Sequence, residues 1–200
     1  MPLFFPICYT CVVSQSLENF LSKDIRSLLA DGDSLLSLFT NPTAQVPVPS
    51  DYSFLVFPYA KAYEGFLKLL FLRYGIITNK EFESDRFRIG KALNPHLEKR
   101  MRRLHSAYDR FVNYCDNGTE LADRLWQTWK QGRNLLFHFF PKHYKTVSIT
   151  QAQDTVAEIL MTMEVSLENC TVKYQPRENN NRVYNPPPTL GFTIKPPEPF

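Results

Sequence analysis

The stretch Gly118–Pro141, GTELADRLWQTWKQGRNLLFHFFP, decides how the rest of the chain is read. It predicts a long helix over 118–141. Thr119 suits the N-cap, Glu120 falls in the first turn, and Pro141 marks the end. Leu121, Leu125, Trp126, Trp129, Leu136, Phe137 and Phe140 recur at steps of mostly three and four, as a core-facing stripe requires. Near the end comes Arg133-Asn-Leu-Leu-Phe-His138. Asn134 and His138, four apart, lie on one face. Arg133 stands about 140° from His138 around an ideal helix. A long side chain or a distorted last turn is needed to bring the two heads together. A guanidinium and an imidazole at one point can hold a phosphate and move protons beside it.

Outward from this stretch, the chain of 200 residues is long enough for one well-buried core with appendages, and 44% of it is hydrophobic. It has no run of 18 apolar residues, which argues against a membrane-spanning helix. The start, MPLFFPICYTCVVS, is apolar, but no basic region precedes it and prolines flank its greasiest part. It reads as a strand or packed arm rather than a signal peptide. Ser16 is placed to cap a helix over Leu17–Ala30, which Gly32 breaks. Asp33 then caps a second short helix through Phe39. Asn41-Pro42 and Val46-Pro-Val-Pro49 form an extended linker. Residues 1–50 are thus expected as an appendage and linker.

The main domain is expected over 51–170. Pro58 suits an early helix position, and YAKAYEGFLKLLFLRYG follows, closed by Gly75. This helix is greasy on most sides and should be central. Lys61 and Glu64 interrupt it on one face. A buried Glu needs a cation or hydrogen bonds; a Lys–Glu surface pair is the plainer explanation. Residues 76–90 read as irregular. Asn94-Pro95 introduces a helix from His96 to about Leu104, which can run on to Tyr114. Thr150-Gln-Ala-Gln153 reads as a capping box for a last helix to about Glu168. Residues 171–200 hold seven of the fifteen prolines and read as an extended or disordered tail.

Net charge is only +3, but its distribution is uneven. Residues 86–110 carry Arg86, Arg88, Lys91, Lys99, Arg100, Arg102, Arg103 and Arg110 against Glu98 and Asp109. Such a segment is either an electrostatic footprint for a phosphate backbone or a solvated helix face. Of the four cysteines, Cys8 and Cys11 form a CxxC without the second pair a structural zinc site needs. Free, mostly buried thiols in a reducing cytosol are expected.

The order of helices and two short motifs resemble the HEPN superfamily. AYEGFLKLL is similar to the first core helix of RNase LS (RnlA-like) toxins. RNLLFH resembles the superfamily's Arg-polar-x-x-x-His signature. The resemblance covers about 51–170 and implies an all-α, HEPN-like four-helix bundle. It also implies a metal-independent, cofactor-free endoribonuclease, the toxin of a toxin–antitoxin or phage-defence pair, acting in the cytoplasm. Its implied partners are RNA, a second copy of the chain and a cognate antitoxin, with no membrane. Carried over by position, His138 is the general acid or base and Arg133 stabilises charge on the phosphate. Asn134 orients His138 or holds the phosphate, and Glu64 with Lys61 completes the site. Lys99, Arg100, Arg102 and Arg103 are the expected RNA contacts. A non-catalytic nucleotide- or protein-binding HEPN module is the alternative. Two positions beyond His138, where toxins modified by nucleotidyltransferase antitoxins place Tyr, this chain has Phe140.

Overall fold

In a computed structural model, residues 13–98, 100–102, 106–138, 141 and 146–170 are described. Cys8, Cys11, Lys99, Arg103, Phe140 and the segment 171–200 lie outside them. The regular elements are helices: α1 (Gln15–Phe20), α2 (Lys23–Thr40), α3 (Phe57–Arg73), α4 (Asn79–Phe82), α5 (Ile89–Ala92), α6 (Ala107–Tyr114), α7 (Gly118–Trp129) and α8 (Ile149–Glu168). Among the described residues the regular structure is all helical, in line with the expected all-α class. No helix among the described residues is long and apolar enough to cross a membrane.

The helix α3 occupies the centre. Pro58 sits in its first turn, and Tyr59, Tyr63, Phe66, Leu67, Leu70 and Phe71 are all buried. Residues point inward on most sides because α2, α7 and α8 all pack on it. Phe66 meets Phe20 of α1 with ring centroids 5.6 Å apart and stacks on Tyr63 at 6.2 Å. The Tyr63 hydroxyl donates to the Leu125 carbonyl at 3.1 Å, joining α3 to α7 inside the core. Burial pushes that phenol well above its ordinary range.

The N-terminal segment is more than an appendage. Leu17, Phe20, Leu21, Ile25, Leu29 and Leu36 belong to the same core as α3. The helix break also moves: Ser14 caps α1, Ser22 caps α2, and α2 runs unbroken through Gly32. A Cβ at Gly32 would lie 2.6 Å from the Tyr59 ring, so the glycine there serves close packing of α2 on α3. Asp33 accepts from the Tyr59 hydroxyl at 2.6 Å instead of capping a helix.

Asp51 ties the entry of α3 to the entry of α8, accepting from the amides of Ser53 and Val147 at 3.0 Å each. The capping box of α8 is Ser148 with Gln151, two positions earlier than Thr150–Gln153. Both quartets fit the S/T-x-x-Q pattern, and the backbone reaches extended geometry at Ser148. Between α7 and α8, Thr128 and Thr162 share a buried hydrogen bond of 3.0 Å, and Arg124 reaches Glu158 and Thr162. Cys115, at the α6–α7 turn, is disulfide-bonded to Cys170 beyond α8, with Cα atoms 5.3 Å apart. The expectation of free thiols is therefore corrected for this pair. Spacing along the chain gave no hint of it, because the helices bring the two ends together.

Candidate functional site

The helix predicted over 118–141 does not run through as one α-helix. It is α-helical to Trp129 and continues as a π turn over Lys130–Asn134. The Leu135 amide donates to the Lys130 carbonyl at 2.9 Å, a five-residue step. Gly132 lies buried in this turn, where a Cβ would be 3.1 Å from Ile159 of α8. The close seat against α8 and the wider turn thus coincide. Single π turns inside helices are rare and occur often at functional sites.

The π turn presents Arg133. Its Nε donates to Glu64 Oε2 of α3 at 3.0 Å, and its guanidinium lies 5.5 Å from the Trp129 ring centroid. The two motifs singled out in the sequence therefore meet across the α3–π-turn contact. Arg133 remains partly exposed, so the pair adds little net stability. What it does is hold the guanidinium in place on two sides. Lys61, three residues before Glu64, faces solvent, so Glu64 takes Arg133 rather than Lys61 as its charge partner. His138 is exposed and lies four residues past Asn134. The chain between them turns back through a Phe137 amide bond to the Arg133 carbonyl at 3.2 Å.

A cavity of about 330 Å³ opens beside this pair. Glu64, Arg133 and Asn134 line it; Lys61 and His138 are not among its lining residues. Its far wall comes from α5 and its flanks: Arg88, Gly90, Lys91 and Asn94. The floor is Trp126 and Trp129, stacked at 5.6 Å with an interplanar angle of 13°. Both indoles are over nine-tenths buried, and neither Nε1–H has an acceptor among the described residues. A buried donor left unpaired costs about 1–3 kcal/mol. A Cβ on Gly90 would overlap Trp129, at 2.1 Å from Cη2, so only glycine admits the indole there.

Sequence reasoning missed these wall residues as a site. Arg88 and Lys91 entered only within the basic segment 86–110, read as a phosphate footprint or a solvated face, and the tryptophans only as core or as a dimer seam. The expected RNA contacts fare differently. Arg100 is exposed. Arg102 is committed to a fork on Asp109, with Nε–Oδ2 at 3.0 Å and Nη2–Oδ1 at 2.5 Å. The hydrogen-bonded guanidinium holds the Asp109 carboxyl below its ordinary range, and Arg102 itself is raised by the same bonds. Its charge is thus largely spoken for within the fold. Lys99 and Arg103 lie outside the described residues. Among the described residues no three His, Cys, Asp or Glu side chains converge as a metal site would need.

Taken together, the site offers three cations, one carboxylate, two amides and an aromatic floor, a set suited to a phosphate attached to a flat ring. No protein-family model, no curated protein and no solved structure matches the chain.

Proposed function

We propose that the protein is a metal-independent endoribonuclease built on a HEPN-like helical bundle, the toxin component of a toxin–antitoxin or phage-defence pair. The observation that carries this reading is the 3.0 Å contact of Arg133 with Glu64, which joins the Arg-polar-x-x-x-His motif to the Glu-bearing central helix α3. Arg133, fixed by Glu64 and Trp129, is positioned to receive charge growing on a phosphate oxygen. The RNA 2′-hydroxyl attacks the adjacent phosphorus, forming the P–O2′ bond as the P–O5′ bond breaks. The products are a cyclic phosphate and a 5′-hydroxyl. His138, exposed at the end of the motif, exchanges the proton with the attacking or departing oxygen.

A second copy is part of this reading. Leu135 and Phe137 within the motif are exposed, as is Phe57, whose ring meets Phe137 edge-on at 5.6 Å. These side chains form an apolar surface next to Arg133 that a partner protomer can cover. The tryptophans, by contrast, are core residues and supply no seam.

The alternative, a HEPN-like module that binds without turnover, is favoured by one observation: His138 does not line the cavity that Arg133 lines. The two readings part on one experiment. RNA incubated with the protein in excess EDTA is cut by a nuclease of this type, leaving cyclic phosphate ends. RNA whose 2′-hydroxyls are replaced by 2′-methoxy groups stays intact. Intact RNA in both arms counts against the nuclease and is the result expected of a module that binds without turnover.

A further inference from the structure

The charge inside the cavity is more specific than a general affinity for RNA. Arg88, Lys91 and Arg133 bring three positive charges, and Glu64 brings one negative charge that is already on Arg133. The balance, with no further charged side chain in the lining, is two positive charges. An internal phosphodiester carries one negative charge, whereas a terminal phosphate monoester carries close to two at neutral pH. Arg88 and Lys91 are exposed, and among the described residues no acidic side chain forms an ion pair with either; Arg88 donates to the Asp85 carbonyl. The volume, about 330 Å³, is at the small end of the range for ligand pockets, about 300–1,000 Å³. It suits one phosphate and one ring rather than a duplex.

We propose that this cavity binds a terminal phosphate monoester on a nucleoside, carried either by a free mononucleotide or by a phosphorylated RNA end. Arg88 and Lys91 face the phosphate, and the Trp126–Trp129 pair forms the wall for the ring. The two indole N–H groups, which have no acceptor, make that wall the part of the core with most to gain from a ligand oxygen. They are closed to solvent, so a small turn of an indole accompanies binding. The inference rests on the nuclease reading only for its biological use, since it makes the enzyme selective for RNA with a phosphorylated end. The binding itself stands apart.

Trp126 and Trp129 are the only tryptophans in the chain, so the whole indole emission reports on this cavity. The test is a fluorescence titration of the His138→Ala protein, which keeps RNA probes whole. The probes are AMP, adenosine, and one short oligoribonucleotide with either a 5′-phosphate or a 5′-hydroxyl. The expected result is a saturable change with phosphorylated probes, at least about tenfold tighter than with their unphosphorylated counterparts. Arg88→Ala/Lys91→Ala removes this preference, and Lys23→Ala, on α2, retains it. A response to AMP alone identifies a free nucleotide; a response to the phosphorylated oligonucleotide as well identifies an RNA end. Equal affinity for the 5′-hydroxyl probe, or no saturable change with any probe, overturns the inference. If the wild type cuts RNA and no phosphate preference is seen, the inference fails while the nuclease stands. The converse result keeps the site and ends the nuclease reading.

Discussion

His138→Ala lowers RNA cleavage by about 10²- to 10⁴-fold, the usual worth of a positioned acid or base. The side chain is exposed, so its truncation opens no cavity in the core and leaves the fold intact. Arg133→Ala lowers cleavage by about 10²- to 10³-fold, as removal of one charge-stabilising donor does elsewhere. It also strands the Glu64 carboxylate and removes a cation from the Trp129 face, so some loss of stability accompanies it. Glu64→Gln works through Arg133 and falls between the wild type and Arg133→Ala. The measurement is the initial rate on labelled RNA in EDTA, with circular-dichroism melting on each variant. Wild-type rates in a folded His138→Ala protein would remove His138 from the chemistry and, with it, the proposed mechanism.

The disulfide carries the second large effect. It closes a loop with a sequence separation of 55, around α7, the π turn and α8. Chain-entropy arguments put the gain from such a loop at roughly 4 kcal/mol, with about 2–4 kcal/mol the usual outcome. Urea unfolding of the wild type should therefore show a lower midpoint in reductant than without it. The Cys115→Ala/Cys170→Ala protein should match the reduced form and be indifferent to reductant. Coincident curves for oxidised and reduced wild type would contradict a stabilising crosslink. Disulfides persist where surroundings are oxidising. In a reducing compartment the same two positions are packed thiols, and the protein is softer by that amount.

Much of the helical order was legible because periodicity and caps are local. The uniform greasiness of residues 59–72 announced α3 as central, and its Pro58 announced the start. Where local signals compete, the reading slipped. Gly32 looks like a breaker, yet its missing side chain lets Tyr59 pack against α2. Two overlapping capping boxes precede α8, and nothing in the pattern ranks Ser148 above Thr150. Glu64 and Arg133 were both named as parts of one site. Arg88 and Lys91 were named only within a broad basic segment and Asn94 only as a helix entry, and none of them was placed opposite Arg133. Those residues join Trp126 and Trp129 only through tertiary packing, for which spacing holds no record. The one available signal was Gly90 set between two cations, a backbone position where a large ring approaches closely.

The π turn has a final consequence for how this chain can change. A five-residue step spends one residue more than the α ladder does, so it behaves as a single-residue insertion frozen into the helix. Five residues of a π turn sweep nearly the same angle as four of an α turn, so deleting one residue between Lys130 and Asn134 would let the ladder close with Leu135–His138 still facing as they do. The imidazole would keep its bearing, and what would be lost is the widened turn that presents Arg133. The extra residue thus supplies the turn rather than the bearing of His138, and a one-residue deletion that kept Arg133 and still cut RNA at full speed would show the turn to be dispensable.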